Sequence, residues 1–232
     1  MLNTTIATQI YAKISFETTQ SQKKIIEQLS EYISDNDFSR FFVLNGYAGT
    51  GKTTVISALV SVLKSLGIKS ILLAPTGRAA KVLSRYCNEK AQTIHKRIYR
   101  QKTNAAYEST FSLDFNRESD AVFIVDEASM LSNGSSSGDS TFGSGSLLED
   151  LIKYVRSGRR CRLILVGDNA QLPPVGADHS PALDPAELLP YGKQTKSYNF
   201  FCRIHNRLVR HRAIQSRWWL VARTSRPIQS SF

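Results

Sequence analysis

Cysteine is scarce in this chain of 232 residues, and the three present, Cys87, Cys161 and Cys202, are odd in number and far apart. That excludes a disulfide framework and offers no zinc-ligand spacing, so they read as reduced thiols without a metal role. Long apolar runs are lacking too. None approaches the ~20 residues that span a bilayer, and the N-terminal stretch, with Asn3, Thr4, Thr5, Thr8 and Gln9, has no secretory apolar core. No membrane partner and a cytoplasmic location are therefore expected. Acidic residues are missing from residues 193–232, which hold two Lys and seven Arg and supply +9 of the net charge of +11. The rest of the chain carries only +2, so total charge says little about its body. The length suits one main domain with a sizeable core, expected over residues 1–192, with 193–232 as an atypical basic tail outside it.

What the chain does have is organised around Gly46-Tyr47-Ala48-Gly49-Thr50-Gly51-Lys52-Thr53-Thr54, which reads G-x-x-x-x-G-K-[ST]. The apolar run Phe41–Leu44 precedes it and the helical pattern Val55–Leu66 follows, and strand, loop, helix is the context that gives the pattern meaning. Gly46, Gly49 and Gly51 let the loop turn its N–H groups inward. With Thr50, Thr54 and the helix N-terminus they make a cradle for nucleotide phosphates. Lys52 is placed for the β- and γ-phosphates, and the Thr53 hydroxyl for Mg²⁺.

In chain order, residues 1–18 say little, with a short strand or helix expected around Ile10–Phe16. Thr19 to Gln22 matches a capping box ahead of Ile25, Ile26, Leu29, Tyr32 and Ile33 at helical spacing. After the helix Lys52–Leu66, stopped by Gly67, a strand at Ser70–Leu73 leads through Pro75, Thr76, Gly77 and Arg78 into another helix. A further helical stretch opens near Thr93-Ile94-His95, while residues 101–119 receive no element. Ala121–Val125 is continuously apolar, as a central parallel strand covered on both faces requires. Asn133–Ser146 is Gly/Ser-rich and reads as a flexible surface loop. A helix from Leu147 and a strand Arg162–Val166 complete the pattern. Alternating strands and helices predict an α/β fold with helices on both faces of a parallel sheet and ligands at the carboxyl ends of its strands. Pro75-Thr76, Asp126-Glu127, Gly167-Asp168 and the phosphate loop all end strands, so they should converge.

Asp126 ends a buried strand and suits Mg²⁺, and Glu127 suits a general base that polarises water for attack on the γ-phosphate. An acceptor-phosphorylating enzyme needs no such base for water, so the pair points to hydrolysis. In Gly167–Gly176, Gln171 sits on a proline-stiffened loop where an amide can bond the γ-phosphate or the water.

Gly46–Thr53, Ala74–Lys81, Asp126-Glu127-Ala128-Ser129 and Gly167–Gly176, in that order, resemble motifs I, Ia, II and III of RecD-like superfamily 1 DNA helicases, over about residues 16–185. The resemblance implies a RecA-like P-loop ATPase domain, the N-terminal half of a motor of the DNA repair and recombination kind. ATP and Mg²⁺ would be its cofactors and single-stranded DNA its partner. It implies catalytic roles for Lys52, Glu127 and Gln171, and a metal site at Thr53 and Asp126. Pro75, Thr76, Gly77 and Arg78 would touch DNA, and His95 lies near the DNA path or is a structural histidine. Gln22 resembles the family's adenine-reading glutamine and is equally a capping residue. The family's second RecA-like domain and its arginine motifs are not found after Pro185, which implies slow hydrolysis and no unwinding by this chain alone. For the tail, with Trp218 and Trp219 among its cations, a DNA-binding arm and an unrelated, out-of-frame end both remain open. A nucleotide- and DNA-binding module without helicase activity is the alternative function.

Overall fold

The computed structural model describes residues 2–103, 109–134, 143–171, 173–174, 177–191 and 195–200. Its first helix, α1 (Leu2–Lys13), differs from the short element expected at Ile10–Phe16. Ile6, Ile10 and Ile14 recur every fourth residue and are buried, but Asn3, Thr4, Thr5 and Thr8 around them favour helix weakly, which hid the pattern. Helix α2 (Gln20–Ser34) starts at Thr19 through a complete capping box, and Ile25, Ile26, Leu29, Tyr32 and Ile33 are its buried stripe.

Strand β1 (Phe41–Gly46) feeds the phosphate loop and helix α3 (Lys52–Ser65), after which Gly67, at φ +71°, turns the chain as a helix C-terminus requires. Then come β2 (Ser70–Ala74), α4 (Gly77–Cys87), β3 (Ala91–Thr93), the short α5 (Ile94–Ile98) and an antiparallel pair, β4 (Tyr99–Thr103) with β5 (Ser109–Leu113). That pair occupies part of the stretch given no element, because its polar residues hide the alternation a hairpin shows when one face is buried. Strand β6 (Val122–Val125), α6 (Leu147–Ser157), β7 (Arg162–Gly167), α7 (Pro185–Leu188) and β8 (Thr195–Phe200) complete the described order.

The six-stranded sheet runs β3-β2-β6-β7-β1-β8, every pairing parallel. Alternate side chains enter two cores: Phe42, Leu44, Ile124, Ile164 and Val166 face α1 to α4, while Phe41, Val43, Phe123, Leu163 and Leu165 face the side of α5 and α6. This is the doubly covered parallel α/β sheet of a RecA-like domain.

Strand β8 moves the expected boundary at 192. Its backbone pairs with β1 along the whole of that strand, Phe41 opposite Thr195 and Gly46 opposite Phe200, and covers an edge that would otherwise stand open. Residues 1–201 form one compact unit. Backbone pairing needs no apolar period, so the strand was invisible in a segment read by charge. Residues 201–232, with both tryptophans, lie outside the described residues, as do residues 135–142 of the Gly/Ser-rich stretch. Among the described residues no helix is long and apolar enough to cross a membrane.

Candidate nucleotide-binding site

The parallel sheet delivers its strand ends to one edge. Asn45 pairs opposite Gly167, Leu73 opposite Val125 and Ala74 opposite Thr93, so the phosphate loop, Pro75, Asp126, Asp168 and the start of α5 emerge side by side. In the loop, Gly49 and Gly51 have φ of +77° and +94°. A side chain at Gly51 would also meet the Gln22 amide, its Cβ falling 2.9 Å from Nε2, whereas Gly49 has open space. Gly51 is also the first cap of α3 and supplies no side chain, which leaves the helix's first N–H groups to an anion. Thr50 is buried, its hydroxyl donating to the Tyr47 carbonyl at 2.8 Å.

Lys52 Nζ donates to the carbonyl of Gly46 and, at 3.0 Å, to that of Tyr47. Burial pushes its amine below the usual lysine range, and the charges of Asp168, Asp126 and Glu127 pull it back up. The amine thus feels the charge of three carboxylates, a balance that a bound polyphosphate and cation would change. Burial likewise raises the Asp126 carboxyl, with the charge of Glu127 adding to it, against a backbone hydrogen bond from Glu127 and the attraction of Lys52. Two acids at one strand end, one of them destabilised by burial, suit a divalent cation. Mg²⁺ takes one or two carboxylates with water and phosphate oxygens, so Asp126 with the half-buried Thr53 at the start of α3 is a fitting donor set. Glu127 has a left-handed backbone, φ +56°, as the entry to the 3-10 turn Ala128–Met130. For a non-glycine residue that conformation costs about 1–2 kcal/mol, so the surrounding turn imposes it.

Gln171 is exposed, and its Oε1 accepts from the buried Ser129 hydroxyl at 3.3 Å, tying the strand end after β6 to the loop after β7. Asn45 Oδ1 accepts from the Asn169 N–H at 3.0 Å, and Asp168 Oδ1 from the Ala170 N–H at 2.8 Å. Beside them opens a cleft of about 460 Å³ lined by Asn45, Asn169, Gln171, Pro173, Ser180 and Leu183 among others.

Of the residues singled out from sequence, Lys52, Asp126 and Glu127 meet electrostatically. Gln22 is 4% exposed, its Oε1 accepting from the Thr19 N–H at 2.9 Å and its Nε2 donating to the Thr50 carbonyl at 3.3 Å. The capping box is thus formed, with a brace to the phosphate loop that sequence did not reveal. Thr76, Gly77 and Arg78 are exposed and Pro75 half-buried, Thr76 capping α4 through the Ala79 N–H at 3.2 Å. His95 is half-buried with its ring 5.8 Å from that of Tyr99, and burial lowers its pKa. Sequence reasoning missed the charge of Asp168 on Lys52 and the tie from Asn45. Both stood at strand ends already identified, which was the available signal.

A P-loop nucleotide-binding domain of RecA-like build is what this fold and this edge define. The chain belongs to the AAA domain family, whose profile matches residues 17–183. It is 32% identical over 180 residues to the ATP-dependent RecD2 DNA helicase of Deinococcus radiodurans, covering 78% of this chain and 21% of that protein. To the ATP-dependent DNA helicase dda of Enterobacteria phage T4 it is 30% identical over 165 residues, covering 68% of this chain and 33% of that one. The chain thus spans about a fifth to a third of these relatives. The Pif1 helicase of Candida albicans superposes with a TM-score of 0.46 at 17% identity, over 81% of this chain and 41% of that structure. The chain is a RecA-like P-loop domain of the superfamily 1 helicase kind.

Proposed function

We propose that this domain binds ATP with Mg²⁺, hydrolyses it, and couples that cycle to single-stranded DNA as the first motor domain of a RecD-like helicase serving DNA repair or recombination. The observation that carries the reading is the phosphate loop between β1 and α3, opening at the sheet edge where β6 and β7 end in Asp126-Glu127 and Asp168.

Lys52 donates to loop carbonyls, and β- and γ-phosphate oxygens would be stronger, charged acceptors for the same amine. The N–H groups at the start of α3 hold the β-phosphate. Thr53 and Asp126 would hold Mg²⁺, which supplies charge neutralisation across the phosphates. Glu127 accepts the proton of the attacking water, and Gln171 bonds the γ-phosphate or that water, its loop sensing the loss of phosphate through Ser129. Thr76, Gly77 and Arg78 offer exposed backbone and a cation to a DNA phosphate, with the half-buried Pro75 ahead of them and His95 assigned to the same DNA path. Rapid turnover needs an arginine from a second RecA-like domain, in cis or in trans, since such a group is worth ~10³ to 10⁵ in rate in related GTPases.

Titration with a fluorescent ATP analogue tests the site. Lys52→Ala should weaken binding by about 10- to 100-fold, the scale of a lost charged hydrogen bond. Equal affinity in variant and parent would remove Lys52, and with it this reading.

A further inference from the structure

Helix α4 has a surface that the nucleotide site does not use. Its sequence, GRAAKVLSRYC over Gly77–Cys87, holds three cations and no acid. Ala80, Leu83 and Cys87 form its buried side. At 3.6 residues per turn, Lys81, Arg85 and Arg78 make one row on the opposite side and Val82 and Tyr86 the row beside it. All five are exposed, Val82 by 44% and Tyr86 by 63%. Among the described residues none of these three cations has an ion-pair partner. Glu89, just beyond the helix, is already held by Lys64 at 2.5 Å.

The platform is also fixed. Ser57 Oγ on α3 donates to the Tyr86 carbonyl at 2.7 Å, and Ser84 Oγ to the Glu89 carbonyl at 2.6 Å, while Asn88 closes the helix in a left-handed conformation. The main chain under Tyr86 is thus held, and its side chain has only two torsions to lose when a base stacks on it.

We propose that this face of α4 is a second contact for a nucleic-acid strand, phosphates lying along Arg78, Lys81 and Arg85 and a base stacking on Tyr86 beside Val82. The inference rests on the reading of Pro75–Arg78 as a single-strand contact and extends it along the helix, about 12 Å from Arg78 to Tyr86 at ~1.5 Å per residue. A row of cations next to a row with a stacking ring matches a single strand, which presents charge on one side and π-faces on the other. A protein-docking helix buries an apolar centre with charges at its rim, whereas here the cations occupy the middle of the face.

The test measures binding of fluorescent oligo-dT to the 232-residue chain with a long strand of about 20 nucleotides and a short one of about 5, across a salt series. The double variant Lys81→Ala/Arg85→Ala should reduce the salt slope for the long strand by about 1.4, two phosphates at roughly 0.7 each, and leave the short strand unchanged. Tyr86→Ala should weaken the long strand about tenfold, and Tyr86→Phe should restore it, since stacking needs the ring and not the hydroxyl. A long strand carrying 5-iodouracil should cross-link to the peptide containing Tyr86. If the parent binds both strands and all variants match it, with the cross-link elsewhere, the α4 contact is overturned while the Pro75–Arg78 reading stands. Absence of binding to either strand by the parent overturns both. Self-association abolished by Tyr86→Ala, with DNA binding unchanged, would assign the face to a second copy of the chain and overturn the proposal.

Discussion

The side-chain amide of Gln22 donates to the carbonyl of Thr50 at 3.3 Å, so the first turn of α2 holds the phosphate loop from behind. The same side chain closes the capping box with Thr19, which links the start of a helix to the shape of a loop 28 residues later. Gln22→Ala should lower stability by about 1 kcal/mol through the cap, a drop of roughly 2–4 °C in thermal midpoint. It should also weaken ATP and GTP binding together, about two- to tenfold. Gln22→Glu keeps an acceptor for the Thr19 N–H but sets a carboxylate against the Thr50 carbonyl, so it should harm nucleotide binding as much. Titrations with both nucleotides decide: a loss confined to ATP would give Gln22 an adenine contact instead of the brace.

A second buried tie anchors the end of the Gly/Ser-rich stretch. Asp150, 2% exposed on α6, accepts from the Tyr99 hydroxyl at 2.8 Å and from the Ser144 N–H and hydroxyl at 2.9 and 2.8 Å. Burial pushes the Tyr99 phenol upward, and the hydrogen bond to Asp150 and its charge add to that. Tyr99→Phe removes one donor from a buried carboxylate and should cost about 1.5–3 kcal/mol in urea unfolding. An unchanged unfolding midpoint would mean that the carboxylate is satisfied without Tyr99.

Glu118 sets part of the response to acid. Burial alone would raise its carboxyl, but hydrogen bonds and charge from Lys69, at 2.7 Å, and Arg97, at 2.6 Å, outweigh it and hold the pKa below the usual glutamate value. A carboxylate lowered in the folded state contributes stability above its unfolded pKa, about 4.3, and that contribution fades as pH falls through the lower folded value. Unfolding free energy should therefore drop below about pH 4.5, and Glu118→Gln should flatten that part of the profile while lowering stability at neutral pH. Denaturant titrations at several pH values on both proteins measure this. Parallel profiles would place the acid sensitivity elsewhere.

The parallel sheet and the converging strand ends were legible because a continuous apolar run such as Ala121–Val125 and a glycine loop between strand and helix are local signals. Other features depend on partners remote in sequence. Strand β8 is defined by backbone pairing with β1, and Tyr198 and Phe200 alone are too short an alternation to read. Helix α1 is fixed by Ile6 and Ile10 meeting the core shared by α2 and α3, through Asn and Thr of weak helical preference. The brace from Gln22 to Thr50 and the tie from Ser129 to Gln171 likewise required the fold, since nothing in either segment announces the other.

Single-turnover phosphate release from ATP, with and without oligo-dT, is the most direct measurement of the central claim that this edge hydrolyses nucleotide. The parent chain should release phosphate slowly, faster with single-stranded DNA, and Glu127→Gln should bind ATP with parental affinity while losing release by about 10²- to 10⁴-fold, the usual contribution of a general base. Release that is equal in parent and Glu127→Gln, or tight ATP binding by the parent with no release under any condition, would contradict it.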